Sequence, residues 1–208
     1  MAYWFIDGAS EIVIVPDSPH RWLMLTLYTT IENHYVLVGY CLLYIFTNPF
    51  HHPRQSLRLC QILVLPPYQK QGHSFRIFDA IYSSILHTPP SRLLPESYDH
   101  ELDGCQELNL EKECSFYMYT IEDPCEEFTF VRDVYDCKLL MKQECMKEYM
   151  NGEVKMLTEE VKEEIRRTMG IIPEQLQKCY NIILHHIVNN ENVKEYQLFV
   201  RLWLDDEM

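Results

Sequence analysis

Four stretches near the start of the chain are dense in Val, Leu, Ile, Tyr and Thr: Ile12 to Val15, Trp22 to Thr29, Tyr35 to Phe46 and Leu57 to Leu65. Turn-forming residues separate them, namely Pro16-Asp17-Ser18-Pro19, Glu32-Asn33, and Asn48-Pro49 leading on to Pro53. Short runs bounded in this way predict an antiparallel meander of four strands. The period changes after Pro66. Phe75, Phe78, Ile81, Tyr82 and Ile85 fall at helical spacing behind Gln71-Gly72-His73-Ser74 and continue up to Pro89-Pro90, so a strand passes through a one-glycine loop into a helix.

Residues Thr88 to Glu113 carry Pro, Ser, Asp and Glu with little periodicity, which predicts a surface loop or insertion. Phe116 to Ile121 reads as a further strand, and Glu126 to Asn151 as mostly helix with a break near Asp136. In the tail, Val161, Ile165 and Met169 form one apolar stripe. Leu176, Tyr180, Ile183, Leu184 and Ile187 form another, opened by Pro173 at a favourable first-turn position. Val193 to Leu204 alternates less clearly. The fold class expected is α+β, with a layered core over residues 1–150, an acidic loop near 88–115, and a helical C-terminal extension over 151–208.

Charge narrows the partners. The 208 residues carry 18 Lys+Arg against 31 Asp+Glu, a formal net charge of -13. Phosphate neutralisation needs clustered cations, and the tightest basic pair is Arg166-Arg167, so direct DNA binding is not expected and a basic partner is. The longest nearly unbroken apolar run, Tyr35 to Phe46, is short of the roughly 20 residues a membrane-spanning helix needs. Met1-Ala-Tyr-Trp-Phe lacks a basic region leading into an apolar one, so no secretory leader is expected and an intracellular setting is. The 8 cysteines contain no C-x-x-C pair, and reduced thiols are the expectation. His51-His52 and His185-His186 are adjacent pairs whose side chains diverge, so no metal site is expected.

With 6 scattered glycines, a G-x-G-x-x-G fingerprint cannot be drawn, and P-loop, G-x-S-x-G and H-E-x-x-H motifs are missing as well. One stretch carries chemistry, Leu63-Val-Leu-Pro-Pro-Tyr-Gln69-Lys-Gln-Gly72-His-Ser74. Backbone N–H groups at its helix start have no helical partner, and with the helix dipole they make an anion site suited to a diphosphate. Gly72 allows close approach of backbone and ligand, and Ser74 is small enough for the first turn and for capping it. The bland alternative is an ordinary strand-to-helix joint.

Gln69-x-x-Gly72-x-Ser74 after an apolar strand resembles the acetyl-coenzyme-A loop of the GCN5-related N-acetyltransferase superfamily. More narrowly, Leu65-Pro-Pro-Tyr-Gln-Lys-Gln-Gly-His is similar to the catalytic subunits of type B histone acetyltransferases. So are Trp4-Phe-Ile-Asp-Gly-Ala-Ser10 with Val38-Gly-Tyr40, and Ile121-Glu-Asp-Pro124 with Val131-Arg-Asp133. The blocks keep the family's order over roughly residues 3–150. Ser74 stands where the family has Gly or Ala, the segment from Pro89 to Ser115 is longer than the family's link, and family members have an N-terminal domain ahead of the first block.

The resemblance implies the GCN5-related N-acetyltransferase fold, a mostly antiparallel central sheet flanked by helices, and transfer from acetyl-CoA to lysines of free histone H-four. It implies Glu122 as general base with Asp123 assisting. A desolvated Glu at a strand end would have its pKa raised toward the useful range, while first-turn acids that steady a helix dipole are the other reading. It assigns Leu63, Val64 and Leu65 to the pantetheine arm, and Gln69, Lys70, Gln71, Gly72, His73, Ser74, Phe75 and Arg76 to the pyrophosphate. Cys125 falls near the thiol end of the cofactor, and Tyr44, Ile45, Phe46 and Thr47 fall at a strand end touching the histone tail. The family's partner is a WD-repeat histone chaperone and its compartments are nucleus and cytoplasm. Eleven acids against one lysine between Glu96 and Glu127 would attract a basic tail or form a solvated loop. The alternatives are an acetyltransferase for another protein or small amine, and a non-catalytic acidic histone-binding module.

Overall fold

The computed structural model describes residues 2–6, 9, 12, 21–47, 54–93, 114–151 and 154–187. A one-turn helix, α1 (Ala2–Phe5), stands at its start. Strands β1 (Arg21–Ile31) and β2 (His34–Thr47) pair antiparallel, and β2 pairs antiparallel with β3 (Gln55–Val64). Glu32 and Asn33, at φ 47° and 65°, turn the first hairpin with the two positive φ values that a tight two-residue connection requires.

Among the described residues, three strands of the expected meander are present. Of the stretch Ile12 to Val15, only Ile12 lies within the described residues. The fourth strand described in the sheet is β4 (Tyr119–Ile121), and it runs parallel to β3. A parallel neighbour needs a crossover. The connection contains a 3-10 turn at Pro66–Tyr68, helix α2 (His73–Ser83), a second 3-10 turn at Ile85–His87 and the short α3 (Pro90–Leu93). Residues 94–113, most of the expected acidic loop, lie outside the described residues.

Alternation along the strands sorts the two faces. Leu43, Ile45, Leu57, Leu59 and Tyr119 are all but fully buried, whereas Tyr44, Phe46, Arg58 and Thr120 on the other face are half-buried. Helix α2 contributes Phe78 and Ile81 to the core, and its Tyr82 meets Tyr119 edge-on with ring centroids 5.5 Å apart. Burying these side chains drives the layer together at about 1.5–3 kcal/mol for each large residue.

Two bulges interrupt the ladders. Between Gly39 and Leu37 the pairing with β1 skips Val38, and between Leu59 and Gln61 the pairing with β2 skips Cys60. A bulge adds one residue to one strand and re-aims the side chains around it.

The chain divides into two compact units, residues 1–125 with 167–170, and 126–166 with 171–208. The second unit holds α4 (Glu126–Leu140), a 3-10 segment (Glu144–Met150), most of α5 (Glu159–Met169) and α6 (Pro173–Ile187). Helix α4 thus groups with the C-terminal helices, and the division falls at 125/126. The break expected near Asp136 is absent, because that carboxylate is fully buried and satisfied. Gln175 Nε2 donates to it at 3.0 Å and Arg132 Nε at 3.2 Å, while the same amide nitrogen reaches Asp133 at 3.0 Å. Val193 to Leu204 lies outside the described residues.

Candidate functional site

Strand β3 organises the site. At its start, Arg58 and Cys60 project from the half-buried face. At its end, Val64 and Leu65 lead into the glycine loop.

The loop tightens in two steps. Tyr68 N–H donates to the Leu65 carbonyl at 2.8 Å and Gln69 N–H to the Pro66 carbonyl at 3.3 Å. Lys70 (φ 60°) and Gly72 (φ 78°) then both adopt the left-handed conformation, and Gly72 caps α2 by accepting from Phe75 N–H at 3.1 Å. The cap is therefore Gly72 rather than Ser74, which is the second residue of the helix. The N–H groups of Lys70 to Ser74 donate to no backbone carbonyl among the described residues. A Cβ on Gly72 would meet nothing within 4 Å, so open space faces this cap. Unpaired donors, a helix N-terminus, open space and the cations Lys70 and Arg76 fit a diphosphate.

Side chains of the loop divide by exposure. Lys70, Gln71 and Arg76 are exposed, Ser74 and Phe75 half-buried, and His73 is 9% exposed and turned edge-on to Tyr68 at 6.4 Å. His73 thus offers the loop its backbone rather than its ring. Gln69 Nε2 donates to the Val64 carbonyl at 2.9 Å and Gln71 Nε2 to the Pro67 carbonyl at 3.1 Å, both bracing the loop from within.

The backbone at Leu63, Val64 and Leu65 does not present three free groups. Leu65 N–H donates to Val38 O at 2.9 Å, the Val64 carbonyl accepts from Gln69, and strand alternation leaves the Val64 N–H facing away from β2. On that side β4 ends at Ile121, and past Leu59 the edge of β3 has no strand partner among the described residues. From Cys60 to Val64 this open edge runs about 13 Å, four residues at about 3.3 Å each.

Glu122 stands at the head of the open edge. Its N–H donates to Leu59 O at 2.9 Å, the last bond of the β3–β4 ladder. Its side chain is 48% exposed and pairs with Arg58, Nη1 to Oε1 3.9 Å. The carboxylate is thus half in solvent, not desolvated as expected from the sequence. Asp123 is exposed at φ 35°, and Cys125 is exposed just before α4. The Cys60 thiol donates to the Arg58 carbonyl at 3.8 Å. Burial first, and then the nearby Glu122, push the thiol up to about 12 against the opposing charge of Arg58.

The strand end expected to touch substrate splits by face. Ile45 is fully buried, on a strand paired on both sides, and offers a substrate neither side chain nor backbone. Tyr44 and Phe46 share the other face, stacked with centroids 5.7 Å apart, and Trp22 extends the row to Tyr44 at 4.7 Å. Thr47, half-buried, ends the strand. The Arg58 guanidinium lies 5.0 Å from the Phe46 ring centroid, and its Nε reaches Thr120 Oγ1 at 3.4 Å. One cation therefore joins the aromatic row to Glu122.

Sequence reasoning missed Arg58, Cys60, Thr120 and Trp22. A signal existed for the first two, since Ser56, Arg58 and Cys60 alternate with Leu57 and Leu59 in an otherwise apolar strand. Among the described residues no group of three or more His, Cys, Asp or Glu could hold a metal ion, and no helix is long and apolar enough to cross a membrane. His51-His52 lies outside them.

A mixed sheet whose central strand loses its partner beside a glycine-capped helix is an α+β layout consistent with a GCN5-related N-acetyltransferase-like fold. The chain is a relative of the catalytic subunits of type B histone acetyltransferases. It is 29% identical over 207 residues to one from Dictyostelium discoideum, covering 95% of this chain and 37% of that protein. To the subunit from Cryptococcus neoformans var. neoformans serotype D it is 28% identical over 209 residues, 95% of this chain and 44% of the relative. To that of Schizosaccharomyces pombe it is 32% identical over 140 residues, 66% and 30%. The chain thus spans less than half the length of these curated relatives. No family model matches it.

Proposed function

We propose that the chain is the acetyl-transfer core of a histone acetyltransferase, acting on lysines in the N-terminal tail of free histone H-four. The observation that carries this reading is the open edge of β3, with Glu122 and the aromatic row at one end and the anion-binding loop at the other. The names of the relatives support the same activity.

When bound, acetyl-CoA supplies a thioester carbonyl ready for attack by an amine. The N–H groups of Lys70 to Ser74, with Arg76, hold its diphosphate, and Val64 meets the pantetheine arm in the manner of an added strand. A lysine amine, with a pKa of about 10.4, is protonated at neutral pH and cannot attack until a base takes its proton. Glu122 takes it, and Asp123 lies next in the chain. Tyr44 and Phe46 line the path of the lysine stem, and Thr47 ends it. The net charge of -13 draws a basic tail. A WD-repeat histone chaperone as partner, and nucleus and cytoplasm as compartments, belong to the same proposal.

Calorimetric titration of acetyl-CoA, followed by a histone-tail peptide and mass analysis, tests it. Binding with one acetyl added on lysine is expected, and no binding would refute the loop assignment. Transfer to small amines in preference to the peptide would move the substrate class. Glu122→Gln should keep acetyl-CoA affinity and lower turnover by about 10²-fold or more. Unchanged turnover would remove Glu122 from the mechanism.

A further inference from the structure

Glu122 follows a three-residue strand with its side chain half in water, and three side-chain torsions give an unrestrained glutamate many directions. Proton transfer tolerates few of them, because base and amine must come within hydrogen-bond reach. We infer that Arg58 is a positioning residue that holds the Glu122 carboxylate beside the aromatic row, where the lysine is to lose its proton. This rests on the acetyl-transfer reading of the same site.

Arg58 is itself anchored twice before it meets Glu122, on the Phe46 ring at 5.0 Å and through Nε to Thr120 Oγ1 at 3.4 Å. A planar guanidinium fixed at two points is a directional partner for the third. The pair, Nη1 to Oε1 3.9 Å with side chains 39% and 48% exposed, contributes little to stability. Its effect is to narrow the rotamers of Glu122. The cation has a second consequence. It disfavours another positive charge nearby, so an amine seated on the Tyr44–Phe46 row is pushed toward its neutral, nucleophilic form.

The test compares Arg58→Met and Arg58→Lys with the wild-type chain in steady-state transfer to a histone-tail peptide, with acetyl-CoA affinity measured by calorimetry. Arg58→Met should lower kcat about tenfold or more at unchanged acetyl-CoA affinity. Arg58→Lys, which keeps the charge without the planar fork, should recover only part of that loss. Added to Glu122→Gln, Arg58→Met should lower kcat little further, because the group it positions is already gone. An equal fold loss in both backgrounds would overturn the proposal. So would a fall in acetyl-CoA affinity matching the fall in kcat. Absence of transfer by the wild-type chain would refute the acetyl-transfer reading and with it the role assigned to Arg58.

Discussion

Gly39 lies where the backbone of β3 leaves no room for a side chain on β2, and replacing it should damage both the fold and the cofactor edge. A Cβ there would sit inside van der Waals contact of the Leu63 carbonyl oxygen and 3.1 Å from Val64 Cα. Neither atom yields easily. Both belong to backbone pinned by the Gly39–Val64 pairing and by the 2.9 Å bond from Leu65 N–H to the Val38 carbonyl. Gly39→Ala therefore forces the end of β3 away from β2. Overpacking of this kind costs about 1–3 kcal/mol, and at about 2–4 °C per kcal/mol in a chain of this size the melting temperature should fall by roughly 2–12 °C. Because the displaced residues are Leu63 and Val64, acetyl-CoA affinity should weaken in the same variant. Gly72→Ala is the control. Its Cβ meets nothing within 4 Å, so its cost is the left-handed backbone alone, about 1–2 kcal/mol, with no strand displaced. Differential scanning calorimetry and acetyl-CoA titration read both effects. A Gly39→Ala protein that melts and binds as the wild type does would refute the close approach.

Gly72→Glu should abolish calorimetric binding of acetyl-CoA by placing a carboxylate against the diphosphate, and retained affinity would sink the loop assignment. Gln175→Leu removes the amide that donates to Asp133 and Asp136, both at 3.0 Å, and leaves a fully buried acceptor short of a partner. A loss of about 1–3 kcal/mol is expected, read by denaturant unfolding, and an unchanged midpoint would contradict it. Alkaline pH should destabilise the chain through Cys41, whose thiol burial pushes from 9.0 up to about 12. The unfolded thiol releases its proton first, so the contribution is intact below pH 9.0 and declines by about 1.4 kcal/mol per pH unit until the folded thiol ionises near pH 12. Cys41→Ala should flatten that limb of a stability-against-pH curve, and an identical slope would refute the assignment.

What the sequence displays and what it hides follows from the range of the interactions. Strands β1 to β3 and helix α2 obey periods of two and 3.6 over ten or more residues, and Glu32-Asn33 is a local turn signal, so these elements can be read directly. Asp136 looks like a helix break because Arg132, one turn back, meets only part of what its buried carboxylate needs. Its other partner, Gln175, lies 39 positions away on α6. Arg58 likewise reads as a solvated cation until Phe46 is brought to it from β2, and Thr120 and Glu122 from β4 and the residue after it. The candidate residues contiguous in sequence, Leu63 to Arg76, could be found as a motif. The network around Glu122 could not, because only the sheet register assembles it. Ile45 illustrates the same limit in reverse, since a four-residue segment at a strand end must turn alternate residues into the core.

The open edge of β3 has a local cause in the run that follows β4. Glu122 N–H makes the last ladder bond, to Leu59 O. Asp123 then turns left-handed at φ 35°, and Pro124 has no N–H to donate. A strand cannot continue through two such residues, so pairing with β3 stops at this point and the edge from Cys60 to Val64 is left without a strand neighbour on that side among the described residues. Glu-Asp-Pro therefore does two things at once. It sets the carboxylate of Glu122 at the head of the opening, and it makes the opening. Asp123 has a conformational part in this that is independent of any acid–base part. The two are separable by substitution: Asp123→Asn keeps a side chain that tolerates positive φ while removing the charge, and Asp123→Val keeps neither.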